Sequence, residues 1–204
     1  MASKFTAYES AVWCGGLLPV PLLAYQWWAN ELGANPIDAA FKQLGLMALI
    51  ALMASLGCTP LQLLFKWSWP ARVRKALGLL GALYVTLHLF MYAIVDHQAD
   101  LSVLWADVLK RPYVTLGFAA WLLLIPLVVT STNAAVRRLG FVRWKRLHRL
   151  AYVCGALGVI HFLWSQKKDH TEPLIYAAVL VIGFVVRWVK RKPTPKRRPA
   201  SQDA

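Results

Sequence analysis

Residues 147–164 read LHRLAYVCGALGVIHFLW. The stretch is apolar over about the length of a membrane span, yet it carries His148 near its start and His161 near its end. A bilayer core about 30 Å thick takes a helix of about 20 apolar residues. Ionisable side chains inside that core are rare and mark function. Two imidazoles on one span therefore need a purpose, and neutral imidazole is a frequent axial ligand of haem iron.

The rest of the chain has the composition of a small multi-span membrane protein. Of 204 residues 58% are hydrophobic and only 16% are charged, and the charges cluster between long apolar runs. The net charge of +14 falls in short loops and in the tail. That is the pattern of positive-inside topology, so nucleic acid is not an expected partner and membrane lipid is. Cys14, Cys58 and Cys154 form no CxxC pair and lie in or beside apolar segments, where small packing residues are expected.

Taken in order, the apolar runs predict six transmembrane helices. The first, residues 11–28, holds Pro19 and Pro21 and ends in Tyr25-Gln26-Trp27-Trp28 with no small-residue cleavage site. An uncleaved, kinked span is expected there. The second covers about 39–57 and is expected to stop near Pro60. The third covers 77–95 and contains His88, the fourth 113–130, the fifth is the opening stretch, and the sixth covers 173–189. Residues 1–190 read as one membrane domain and residues 191–204 as a basic, Pro-rich tail expected to be disordered. The loops after spans two and four carry four and five Lys plus Arg, and the tail from Lys190 onward carries six. The loops after spans one, three and five carry none, two and two. Both termini are therefore expected in the cytoplasm. No GxGxxG or Walker sequence appears.

Helix direction sets depth. His88 lies 11 residues into the third span, roughly 16 Å at 1.5 Å per residue. His161 lies 14 residues into the fifth, roughly 21 Å. Both spans enter from the cytoplasm, so the two histidines are expected to face each other across one haem in the outer half of the membrane. His148 sits roughly 20 Å nearer the cytoplasm and, on a straight helix, about 140° around from His161. It serves a second haem or none, and an interfacial histidine is the alternative. Arg74, fourteen residues before His88, is positioned to meet a haem propionate or, less conventionally, the iron. Gly78, Gly81, Gly155 and Gly158 either admit a porphyrin or pack helices. His97 and His170 read as solvated loop residues.

Short motifs in the right order add a resemblance. TLHLFMY (86–92), RPYVTLG (111–117), TST (130–132), LG (139–140) followed by LHRLAYV (147–153), and HFLWS (161–165) resemble the MsrQ (YedZ) family. With GANP (33–36) and PLIYA (173–177) the likeness runs up to about residue 190. The resemblance implies a six-helix haem b subunit of the Gram-negative bacterial inner membrane, with a ferric reductase-like haem-binding bundle and one or two haems. It implies electron transfer from the quinone pool to MsrP, a periplasmic molybdopterin enzyme that reduces methionine sulfoxide in oxidised envelope proteins. Flavin mononucleotide (FMN) is a further implied cofactor. His88, His148 and His161 fall on the family's three histidines.

Two departures from the wider oxidase superfamily matter. Arg74 stands where that superfamily places a second histidine on the third span, leaving an inner haem without a standard second ligand. No flavin and NADPH domain follows the sixth span in this sequence. The expected donor is therefore quinol or a separate cytoplasmic flavin reductase. Methionine sulfoxide reduction itself is expected in the partner chain. A free-standing cytochrome b reductase acting on ferric iron or quinone is the first alternative. A non-redox transporter or scaffold is the second, although the spans lack paired intramembrane acids.

Overall fold

A computed structural model describes residues 7–190. The tail expectation for 191–204 lies outside the described residues. The described chain is all-helical: α1 (Ala7–Leu17), α2 (Pro19–Trp28), α3 (Pro36–Phe65), α4 (Trp69–Phe90) running into a π-helical turn (Met91–Asp96), α5 (Leu101–Lys110), α6 (Pro112–Val129), α7 (Asn133–Leu139), α8 (Phe141–Leu147), α9 (Leu150–Ser165) and α10 (Thr171–Val189).

Local chemistry places these boundaries. Pro36 and Pro112 open α3 and α6, where a missing N–H is harmless. The Asn35 side chain accepts from the Asp38 amide, and Asp100 accepts from the Ser102 and Val103 amides at the start of α5. Thr132 caps α7 through the Ala135 amide. Gly140, at φ +74°, turns the chain between α7 and α8.

Among the described residues, five helical stretches are long and apolar enough to cross a membrane: 36–65, 69–96, 112–129, 141–165 and 171–189. The expected first span is divided at Leu18 into α1 and α2, of 11 and 10 residues. Pro19 and Pro21 cannot donate to the carbonyls of Gly15 and Leu17, which ends α1. The second span does not stop near Pro60, because α3 runs through it to Phe65. A proline withholds the hydrogen bond from the carbonyl four residues back, here Leu56. The Arg187 guanidinium of α10 supplies it, with Nη2 donating to Leu56 O. The third span begins at Trp69, so Arg72, Arg74 and Lys75 lie on α4 rather than in a loop. The acidic loop after it contains α5, and the basic loop after the fourth span contains α7 and α8.

Helices α3 and α4 form one close pair and α6 and α9 another, with α10 against α3 and α9 and with α1 on α4. Buried apolar residues make the seams: Leu52, Leu124, Leu127 and Cys154; Leu44, Ala48 and Tyr84; Leu49, Met53 and Val159. The flagged glycines serve this packing. A Cβ on Gly81 would meet Leu52 at 2.8 Å, and one on Gly155 would meet Leu56 at 2.7 Å. Cys58 and Cys154 are buried packing residues with free thiols. The outward side of α10 presents Leu174, Ile175, Val181, Ile182 and Trp188, as a lipid-facing helix does.

Candidate functional site

The two helix pairs bring His88 of α4 and His161 of α9 together. Their ring centroids are 6.2 Å apart and their planes are nearly perpendicular, at 84°. Each ring is fixed from behind by a backbone carbonyl. His88 Nδ1 lies 3.0 Å from Phe41 O, and His161 Nδ1 lies 2.6 Å from Tyr113 O. A carbonyl only accepts, so both Nδ1 atoms carry the proton and both Nε2 atoms keep a free lone pair. That is the tautomer of a metal-ligating histidine whose other nitrogen is held by an outer partner.

The helix facing each histidine is shaped for it. Phe41 stacks on the His88 ring at 3.9 Å, and one turn further along α3 a Cβ on Gly45 would stand 3.0 Å from that ring. On α6, Tyr113 supplies the carbonyl for His161, and one turn further a Cβ on Gly117 would stand 2.9 Å from His161 Nδ1. The same device, a carbonyl at i and a glycine at i+4, thus occurs once in each helix pair. Gly45 and Gly117 escaped the sequence reading. Only the spacing of Gly117 within RPYVTLG, four residues after Tyr113, hinted at it.

These residues fit a haem. With imidazole–metal bonds of about 2 Å and roughly 1 Å from each nitrogen to its ring centre, two axial imidazoles stand about 6 Å apart. Among the described residues no group of three His, Cys, Asp or Glu is placed to hold a metal ion. Two imidazoles alone would leave iron short of ligands, and a porphyrin held between His88 and His161 would supply the other four nitrogens.

His148 is placed elsewhere. It lies in the turn between α8 and α9, so the straight-helix angle to His161 does not apply. Its ring stacks on Trp144 at 4.1 Å, and its Nε2 lies 3.0 Å from Thr130 Oγ1. The Thr130 hydroxyl donates to Pro126 O, so it accepts from His148 Nε2–H. Trp144 Nε1 closes the cluster on Thr130 O at 2.9 Å. Arg74 donates from Nη1 to Thr59 Oγ1 at 3.4 Å and lies within electrostatic range of His148. Among the described residues, the partners of His148 are Thr130, Trp144 and Arg74, and none is a histidine.

At the opposite end, His97 is not the solvated residue expected from sequence. Its side chain is 14% exposed, beside Asp107 at 13%. The π-helical turn tucks it against Tyr92, with ring centroids 4.4 Å apart, and Tyr92 donates its hydroxyl to Asp107. Asp107 also pairs with Arg111 at 2.7 Å, and Arg111 donates to the Tyr113 hydroxyl at 3.2 Å. That hydrogen bond, with the Asp107 carboxylate behind it, raises the Arg111 pKa. The network links the residue after His88 by one turn, Tyr92, to the residue that holds His161, Tyr113.

Comparison with known proteins identifies the family. The family described as ferric reductase like transmembrane component matches residues 39–159, a stretch that contains His88 and His148 and ends two residues before His161. The protein-methionine-sulfoxide reductase heme-binding subunit MsrQ of Deinococcus radiodurans is 48% identical over 92% of both chains. The subunit of the same name from Rhodospirillum rubrum is 46% identical over 92% of this chain and 89% of its own. That of Caulobacter vibrioides is 43% identical over 95% and 93%. The chain is a multi-pass membrane protein that belongs to the MsrQ family, within the ferric reductase like transmembrane components.

Proposed function

We propose that the chain holds haem b between His88 and His161 and serves as the membrane electron-transfer subunit of a methionine sulfoxide reductase system. The observation that carries this reading is the 6.2 Å histidine pair with both Nδ1 atoms bonded to carbonyls. The relatives' names, which call them heme-binding subunits, support it. When bound, the haem supplies one-electron redox chemistry at its iron.

The chain's own residues do the rest. Phe41 O and Tyr113 O fix the imidazole tautomers and rotations, which sets ligand basicity and keeps both Nε2 atoms available. Gly45 and Gly117 let the rings approach the helix backbones. The apolar seams around Leu44, Ala48 and Val159 exclude water, which lowers the local dielectric and helps to set the potential. His148 and Arg74 are the residues at the other end to which a second haem would be assigned.

In this reading α1 and α2 together make a sixth crossing, and both termini lie in the cytoplasm of a bacterium with the chain in its inner membrane. The Lys and Arg distribution supports that orientation. The histidine pair then lies toward the periplasm, within reach of an MsrP-type molybdopterin enzyme that repairs oxidised periplasmic proteins. The donor is the quinone pool or a reduced flavin such as FMN, delivered by a cytoplasmic flavin reductase. Mixing the dithionite-reduced chain with methionine sulfoxide tests this. Reoxidation that requires an MsrP-type partner is expected. Equally fast reoxidation by a ferric chelate with no partner present would contradict it and favour a free-standing ferric reductase, the reading closest to the wider family's description.

A further inference from the structure

Each histidine of the pair is oriented within its own helix pair. His88 of α4 is held by Phe41 O of α3, and His161 of α9 by Tyr113 O of α6. Neither carbonyl constrains the other ring. The 6.2 Å spacing and the 84° between the planes therefore depend on how the α3–α4 pair is set against the α6–α9 pair. Apolar seams join the pairs, with Leu52 against Leu124 and Cys154, and Leu49 and Met53 against Val159. Apolar packing is non-directional, so it fixes contact better than angle.

A directional contact crosses between the pairs beside the site. Trp121 of α6 donates Nε1–H to Thr86 Oγ1 of α4 at 3.3 Å. The Thr86 hydroxyl gives its own proton to Ala82 O at 2.8 Å, which leaves a lone pair for the indole, a group that can only donate. Both residues sit close to the histidines along their helices. Tyr113, Gly117 and Trp121 follow one another at four-residue steps, so they share the face of α6 that holds His161. Thr86 stands two residues before His88 on α4. By helical rise Thr86 lies about 3 Å from the level of His88, and Trp121 about 6 Å from that of Gly117, both toward the His148 end. A membrane interior offers no water to replace a lost partner, so the bond is favoured over its separated groups. On the other side of the site a longer tie runs from Tyr92 through Asp107 of α5 and the exposed Arg111 to Tyr113. The Thr86–Trp121 bond joins the two pairs without an intermediary.

We propose that Thr86 and Trp121 are positioning residues for the haem: their bond sets the angle and spacing at which the two imidazoles meet the iron. Ligand orientation and outer partners tune a haem's potential, so the bond contributes to that as well. The proposal rests on the reading of His88 and His161 as ligands of one haem. Nearly perpendicular imidazole planes give a ferric haem a strongly anisotropic low-spin EPR signal, and its extreme g-value falls as the planes turn toward parallel.

The test uses the full-length, haem-loaded chain in one detergent. Thr86→Val keeps the side-chain shape and removes the hydroxyl, Trp121→Phe keeps an aromatic ring and removes the N–H, and Thr86→Ser keeps the acceptor. The EPR signal that His161→Ala abolishes is followed in each, together with the midpoint potential and thermal stability. Thr86→Val and Trp121→Phe are expected to lower the extreme g-value and to shift the potential in a common direction. The double variant should move no further than the larger single one, and Thr86→Ser should match the native protein. Lower thermal stability with an unmoved g-value and potential would show a bond that serves the fold alone, and would overturn the proposal. Independent, additive shifts would overturn it too. If Thr86→Val does not fold, Trp121→Phe is read against Thr86→Ser in the same way. The two readings fail differently. A native chain without haem removes both, whereas a haem lost in His161→Ala but spectrally unchanged in Thr86→Val and Trp121→Phe removes this proposal only.

Discussion

A methyl group on Gly117 would come within 2.9 Å of His161 Nδ1, the nitrogen that bonds the carbonyl one turn earlier on the same helix. Gly45 stands in the same relation to His88, at 3.0 Å. Both rings therefore occupy space that only glycine leaves open.

Gly117→Ala is expected to push the His161 ring off Tyr113 O and lower haem per chain. Gly45→Ala should do the same to the His88 ring, which Phe41 already covers on one face. Haem-to-protein ratios of the purified variants check both. Alanine at Gly158, which would meet only Leu49 at 3.6 Å, should leave haem content unchanged.

Arg187→Ala leaves the Leu56 carbonyl without a partner and is expected to destabilise the protein by about 1–3 kcal/mol. Pro60→Ala should recover much of that loss. Thermal unfolding of the two single variants and the double gives the coupling, and simple additivity would mean that Arg187 does not serve that carbonyl.

Asp107 accepts from both Tyr92 and Arg111 while largely shielded from water. Asp107→Ala is expected to cost about 1–3 kcal/mol, since it strands the part-buried Tyr92 hydroxyl, while the exposed Arg111 turns to water. Lys42→Ala breaks only an exposed pair with Asp38 and should cost about 0.5 kcal/mol or less. Denaturation midpoints in one detergent separate the two.

The cap of α5 should respond to acid. Hydrogen bonds from Ser102 and the Val103 amide hold the Asp100 pKa below its ordinary value. A depressed folded pKa means the cap is at full strength above the ordinary aspartate range and is lost as pH falls through the folded value. Protease cutting within α5 should therefore rise on acidification in the native protein but not in Asp100→Asn, which keeps an uncharged acceptor.

The meeting of the histidine pair was legible because the spans read from sequence carry their histidines to similar heights, 11 and 14 residues in. The helical stretches in fact begin earlier, at 69 and 141, and still carry them to similar heights. Helical rise alone carries that inference. The break at His148 was not legible, since no Gly or Pro marks it within RLHRL (146–150) and the turn is held by Thr130 and Trp144. The carbonyls of Phe41 and Tyr113 lie 47 and 48 residues from the histidines they hold, and Arg187 lies 131 residues from Leu56. Such partners are chosen by helix packing, and no local pattern announces them. His97 looked solvated for the same reason, because a π-helical turn after His88 draws it back against Tyr92 and Asp107.

The central claim, that His88 and His161 hold one haem b, meets its most direct test in a dithionite-reduced minus oxidised absorption spectrum of the purified chain, with haem and protein quantified together. A b-type signal is expected in the native protein and after His148→Ala. It should be lost in His88→Ala and in His161→Ala while the helical fold persists. An unchanged signal in either of those last two variants, or none in the native protein made with ample haem, would contradict the account.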